Sequence, residues 1–319
     1  MNNTLNIHIG FPKTGSSFIQ SSLAASKDRL VKSGINYPDL HKNFRAAEQG
    51  KTTVGNFGAI LHNEKGLSSA LSEVNWNGCE NILLSNESIS LSLQRPDFRE
   101  SFIKALDGLR LRLLLFIRDP VEHALSIFHQ KVREGYANSA SAFLAEYDTL
   151  GMTGDLLDFA HERGAEITVV NYSRNKQNII ERFSEWLGLQ PGQLSSPTLG
   201  KVNRSMTRSE IVLQQVFNKY IGSDARKFLA DPLAAALPDL LSGQPAVNDD
   251  ELRIFVTRMK AEIIAVNERI SKEEELRVPE FCEVRSQIPK DELVEITLSL
   301  DQIEVIAESF SILLSQKGV

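Results

Sequence analysis

The chain has 319 residues and a formal net charge of −6, a balance that argues against a nucleic-acid binder relying on broad positive potential. Its only cysteines, Cys79 and Cys282, are too far apart in sequence to outline a disulfide framework or a zinc cluster. Hydrophobic residues make up 42% and charged residues 24%, ordinary for one large α/β domain or such a domain with a helical extension.

The first element is a strand, because Leu5, Ile7 and Ile9 alternate. Gly10 and Pro12 end it, and Gly15 permits a turn that a side chain would obstruct. From Ser16 the pattern is helical, with Ile19, Leu23 and Leu30 on one face. Strand, tight loop and helix N-terminus together make an anion site, since free N–H groups and the positive end of the helix dipole point at it. Gly10 and Gly15 keep the glycine spacing of a Walker loop, but Ser16 stands where its lysine belongs. The lysine lies inside the loop instead, at Lys13. Such a loop holds a phosphate without the metal-supporting Lys-Ser/Thr pair. It fits transfer of a group less charged than a γ-phosphate, of which a sulfuryl group is one.

Phe11-Pro12-Lys13-Thr14-Gly15-Ser16-Ser17 resembles the 5′-phosphosulfate loop of sulfotransferases that use 3′-phosphoadenosine 5′-phosphosulfate (PAPS). The resemblance implies that Lys13, Thr14, Gly15, Ser16 and Ser17 hold the 5′-phosphosulfate. It also implies a P-loop NTPase-like α/β fold, a central parallel sheet flanked by helices. Gly34-Ile35-Asn36-Tyr37-Pro38, a glycine helix stop followed by an extended exit, again resembles the bacterial polysaccharide type.

Residues 39–78 are polar and weakly periodic and read as an insertion of loops and short helices. His41, Lys42, Arg45, Lys51 and His62 lie in it and read as solvated surface. Asn81–Ser85 is a short apolar run, the mark of a buried parallel strand. Glu87 follows at its C-terminal end, where open α/β sheets bind ligands. It reads either as the base that takes a proton from an acceptor hydroxyl or as a carboxylate stabilised at a helix N-terminus. The resembling family uses a Glu or a His as this base.

A helical connection spans 93–109, and the apolar run 111–117 reads as a central strand. It stops at Arg118-Asp119-Pro120, where Asp119 suits an N-cap, Pro120 the first helical position and Glu122 a capping box. Ser126 lies eight residues after Arg118, about two turns into that helix. Arg118 through Phe128 resembles the 3′-phosphate motif of PAPS-dependent sulfotransferases, in which the arginine and the later serine grip the phosphate. Arginine offers fixed, bidentate donors suited to phosphate oxygens. A glycine pair at 151 and 154 reads as a break between two helices. Residues 166–172 form the next strand. Tyr172 matches a family tyrosine close to the adenine, although Ser173 stands where an acidic residue often follows. A helix with Ile179, Phe183 and Trp186 ends at Gly188. Arg204 matches a basic loop that closes the cofactor site in the family, or else belongs to a helix start capped by Thr207 and Glu210.

The expected organisation is a PAPS-binding core over 1–205 and a helical extension over 206–319. Helices are expected near 207–220, 249–270 and 299–316. Leu252, Phe255, Val256, Met259, Ile263 and Val266 form an apolar stripe along the second. The expected function is sulfuryl transfer from PAPS to an acceptor hydroxyl on a carbohydrate or other small molecule, with Lys13 and Glu87 catalytic and no metal required. A small-molecule kinase using ATP and Mg²⁺ and a non-catalytic PAPS-binding protein are the alternatives. No run approaches a membrane-spanning length and no secretory signal is visible, so a cytoplasmic, bacterial-style enzyme without a transmembrane segment is expected.

Overall fold

The computed structural model describes residues 3–40, 42, 44–48, 55–58, 71, 74–195, 204–290 and 295–316. Most of the insertion at 39–78, with His41, Lys51 and His62, lies outside these residues. Five strands make one sheet: β1 Thr4–Gly10, β2 Ile35–Asn36, β3 Asn81–Asn86, β4 Arg110–Ile117 and β5 Glu166–Asn171. All pairings are parallel, in the order β2-β3-β1-β4-β5. The class is therefore α/β, as the repeated strand–helix pattern implies. The edge strand β2 is the addition; two residues give too little periodicity to read from sequence.

Every residue of β1 is buried, including Asn6 and His8 on the face opposite to the apolar alternates. Covering both faces is normal for a parallel sheet, so the period of two marks a strand here but not an exposed side. The buried polar residues find lateral partners. Asn6 Nδ2 donates to Ile82 O at 3.3 Å, and His8 Nδ1 pairs with Ser85 Oγ at 2.9 Å.

Chain order changes direction at β1, which has β3 on one side and β4 on the other. In register, Ile9 faces Asn86 and Leu115, Gly10 faces Phe116, and Ile117 faces Asn171. The loops after β1, β3, β4 and β5 therefore leave the same edge, the C-terminal edge where such sheets bind ligands. Ile19, Leu23, Leu30, Leu114, Phe116, Val170, Ile179 and Phe183 form one buried cluster. The helix after β1 comes in two parts, Ser16–Ala25 and Lys27–Lys32, separated at Ser26. The expected break at Gly151 and Gly154 is absent: one helix runs Thr149–Glu162. A Cβ on Gly151 would lie 2.4 Å from Asp148 Oδ1, so this glycine makes room for a side chain and does not stop the helix.

The chain forms two compact units that interleave along the sequence: one boundary falls at Gly200–Lys201, and the others at 119–120, 147–148, 261–262 and 277–278. One comprises Met1–Asp119, Asp148–Gly200 and Glu262–Arg277 and holds the whole sheet. The other comprises Pro120–Tyr147, Lys201–Ala261 and Val278–Val319 and, among the described residues, contains helices and no strand. Its helices include Pro120–Arg133, Arg208–Ile221 and Leu300–Gln316. The six stripe residues of helix Asp249–Asn267 are buried. No helix among the described residues is long and apolar enough to cross a membrane.

Candidate anion-binding site

The loop after β1 has two left-handed residues, Lys13 at φ 68° and Gly15 at φ 86°. Glycine takes this conformation freely, whereas a side-chain residue loses about 1–2 kcal/mol there. Gly15 is also closely packed: a Cβ would lie 2.6 Å from Ile179 Cδ1 and 2.9 Å from Tyr172 Cε2. Thr14 is fully buried, and its hydroxyl donates to Phe11 O at 2.7 Å, which fixes the loop from inside. Helix Ser16–Ala25 begins with no capping side chain and no acidic residue in its first turn. No side chain of the helix itself compensates its positive end, which favours an anion. Ser16 Oγ is buried with no hydrogen-bond partner among the described residues.

Glu87 sits on the turn between β3 and the short helix Ile89–Ser92. Ser88 N donates to Asn86 Oδ1 at 2.6 Å, and Ser90 Oγ donates to Glu87 O at 2.9 Å, with Gly10 O a further 3.2 Å contact. These bonds hold the turn against the end of β1. Burial raises the Glu87 pKa above the ordinary carboxylate value, while the charge of Lys13 and the nearby Ser16 hydroxyl oppose the rise. Ser16 lies close enough to favour the charged carboxylate, yet the two make no hydrogen bond of normal geometry.

Arg118 follows β4, and its Nη1 donates to Lys13 O at 2.9 Å. Its guanidinium lies 5.4 Å from the centre of the Tyr172 ring, with Lys176 Nζ at 5.9 Å from the same ring. Tyr172 opens the helix Tyr172–Asn175, which Asn171 caps by accepting from Ser173 N at 2.9 Å. Ser173 has a definite role in place of the acidic residue: its Oγ accepts from Asp119 N at 3.1 Å. Beneath these residues, Glu274 accepts from Asn171 N at 2.6 Å, Asn175 Nδ2 at 2.9 Å and Arg182 Nη2 at 2.5 Å. Asn171 Nδ2 spans Asp119 Oδ1 and Glu275 O, both at 3.1 Å. Residues 272–277 thus fasten the ends of β4 and β5 from a distant part of the sequence.

Lys13, Thr14, Gly15, Ser16, Ser17, Glu87, Arg118 and Tyr172 all lie at the C-terminal sheet edge of the first unit. Ser126 is half-buried on helix Pro120–Arg133, which belongs to the second unit. Arg204 belongs there too, and its geometry does not support a cofactor role. Its side chain is 6% exposed and forms a two-pronged ion pair with Glu210 at 2.6 and 2.7 Å. It also donates to Leu237 O at 2.6 Å, so a phosphate would have to displace bonds already made. Glu210 completes the capping box with Thr207 on helix Arg208–Ile221.

Sequence reasoning missed His8, Lys176 and Glu274. His8 sits inside strand β1, but buried histidines carry no local signature. Glu274 belongs to the run Glu273-Glu274-Glu275, which has the composition of a solvated surface. No family model matches the chain, and no curated protein matches it in sequence. Chemically, the edge offers a helix N-terminus, two cations beside it and one partly desolvated carboxylate.

Proposed function

We propose that the protein is a PAPS-dependent sulfotransferase, with a P-loop-like core, acting on a hydroxyl of a carbohydrate or similar small acceptor. The observation that carries this reading is the bond from Arg118 to Lys13 O, because it joins the two motifs that separately resemble PAPS-binding elements. The donor set fits a doubly phosphorylated nucleotide. Helix Ser16–Ala25, Ser16, Ser17 and Lys13 suit the 5′ end, and Arg118 beside Tyr172 suits the 3′-phosphate and base. The buried, unpartnered Ser16 Oγ is the kind of group that a ligand oxygen satisfies.

When bound, PAPS supplies the sulfuryl group. Glu87 takes the proton of the acceptor hydroxyl, and its raised pKa makes it a stronger base than an exposed carboxylate. Lys13 stabilises negative charge developing on the leaving side, which the first-turn N–H groups also face. Ser126 stays a candidate for the 3′-phosphate by resemblance alone.

The test is calorimetric titration with 3′-phosphoadenosine 5′-phosphate, against ADP as control, without metal. Tight binding of the first alone is expected. Equal binding of both, or a requirement for Mg²⁺, moves the reading to an ATP-dependent kinase. Selective binding without sulfuryl transfer to any carbohydrate acceptor leaves a nucleotide-binding protein.

A further inference from the structure

Helix Leu300–Gln316 carries two exposed rows of different chemistry. Leu300, Ile303 and Ala307 recur at helical spacing and make the first; Leu300 is 68% exposed and Ile303 50%. Asp301, Glu304 and Glu308 repeat that spacing one position later and make the second. All three carboxylates are exposed, and none has an ion pair among the described residues. The charge segregation extends beyond the helix: between Lys290 and Lys317 the sequence has six acidic residues and no lysine or arginine. A helix face made for water alone usually alternates the two signs.

The other side of this helix is anchored within the second unit. Gln302 Nε2 donates to Glu210 Oε1 at 2.6 Å, and the Phe310 ring lies 5.6 Å from Phe228 and 5.8 Å from Phe217. Phe310 is about two turns beyond Ile303 and on its side of the helix. Phe217 is flanked on helix Arg208–Ile221 by Val216 and Tyr220, and Tyr220 is 85% exposed. Apolar surface therefore continues from Leu300 and Ile303 over the half-buried Phe310 and Phe217 to Tyr220. A single exposed leucine needs no explanation, whereas a connected apolar face beside a row of carboxylates marks an interaction site.

We infer that this face docks a cationic amphipathic helix of a partner protein, with the partner's apolar side on Leu300, Ile303 and Tyr220 and its lysines or arginines over Asp301, Glu304 and Glu308. The anchors have the spacing by which one helix receives another along its length. Charge selects the occupant. The chain's formal net charge is −6, and antiparallel pairing of this helix with its own copy would set one carboxylate row beside the other. An anionic membrane surface is repelled for the same reason. The inference is independent of any nucleotide at the sheet edge.

The probe is a synthetic peptide of leucine and lysine, about five turns long and patterned as an amphipathic helix, with a leucine–glutamate peptide of the same pattern as control. Fluorescence anisotropy with the full chain should show binding of the lysine peptide and none of the glutamate peptide. Ile303→Ser combined with Tyr220→Ser should weaken that binding by about 10-fold. Glu304→Lys combined with Glu308→Lys should weaken it by about 10-fold at low salt and reduce its dependence on salt. Glu304→Gln with Glu308→Gln should give a smaller loss, and this pair decides the charge requirement if the lysines disturb the helix. Absence of lysine-peptide binding, equal binding of both peptides, or affinity indifferent to these substitutions overturns the inference. So does sedimentation of the parent chain as a dimer that Ile303→Ser with Tyr220→Ser dissociates, since the face would then belong to a second copy.

Discussion

Arg118 Nη1 donates to the carbonyl oxygen of Lys13 at 2.9 Å, so one side chain joins the end of β4 to the loop after β1. Lys13 needs that bond. Its left-handed backbone, φ 68°, is unfavourable for a residue with a side chain, and an anchored carbonyl offsets the cost. The same guanidinium lies by the Tyr172 ring, so the loops after β1, β4 and β5 share a common cation.

Arg118→Ala should therefore weaken binding of 3′-phosphoadenosine 5′-phosphate by about 1.5–3 kcal/mol, read by calorimetry. Arg118→Lys should recover little of it, because a lysine keeps the charge without the planar fork that reaches both a carbonyl and a phosphate. Unchanged affinity in Arg118→Ala would show that this arginine serves the loop alone.

Glu87→Gln should lower turnover by about 10²–10⁴ while nucleotide affinity is kept. It should also stabilise the protein near neutral pH. The sign follows from linkage: burial raises the folded pKa above that of the unfolded chain, so ionising Glu87 disfavours the folded state as pH rises through the folded value. The acid limb of the parent's pH–rate profile should accordingly lie above the ordinary carboxylate range. A variant with full turnover removes Glu87 from the chemistry.

Glu274→Ala should destabilise the first unit by about 3–5 kcal/mol, since it strands Arg182, Asn175 and the Asn171 N–H around a buried position. Denaturant midpoints compare the variants, and Glu274→Gln should fall between alanine and the parent. A loss within about 0.5 kcal/mol would mean that these donors find other partners.

His8 sets an acid dependence of stability. Its folded pKa of about 3 lies below the unfolded value of 6.5, so the unfolded chain binds the extra proton between them. The contribution is complete above 6.5 and is lost as pH falls toward 3, at up to about 1.4 kcal/mol per pH unit. Unfolding free energies at pH 7.5, 6 and 5 should fall less steeply in His8→Gln than in the parent. Equal slopes would mean that His8 is solvated.

The four long strands and the turns after them were legible in the sequence because each apolar run ends in glycine, proline or a polar cluster. Lys13, Glu87 and Arg118 followed, since the sheet edge is where such turns must converge. What stayed hidden is long-range pairing. Arg204 and Glu274 are both charged residues near helix ends, yet one is closed off by Glu210 and the other reaches β5 from a hundred residues away. No local pattern distinguishes them. Gly151 shows the same limit: its neighbour Asp148 makes it a clearance for a side chain, although its composition signals a break.

The last contribution to the first unit comes from Glu262–Arg277, long after β5. A ribosome would already have made all five strands before Glu274 emerged, and Asn171 would wait without its carboxylate. The nascent protein can assemble its sheet early but completes the frame around Tyr172 late. A chain halted before residue 274 should therefore be exposed to proteases at the end of β5, and the site would become competent only once that late segment has been made.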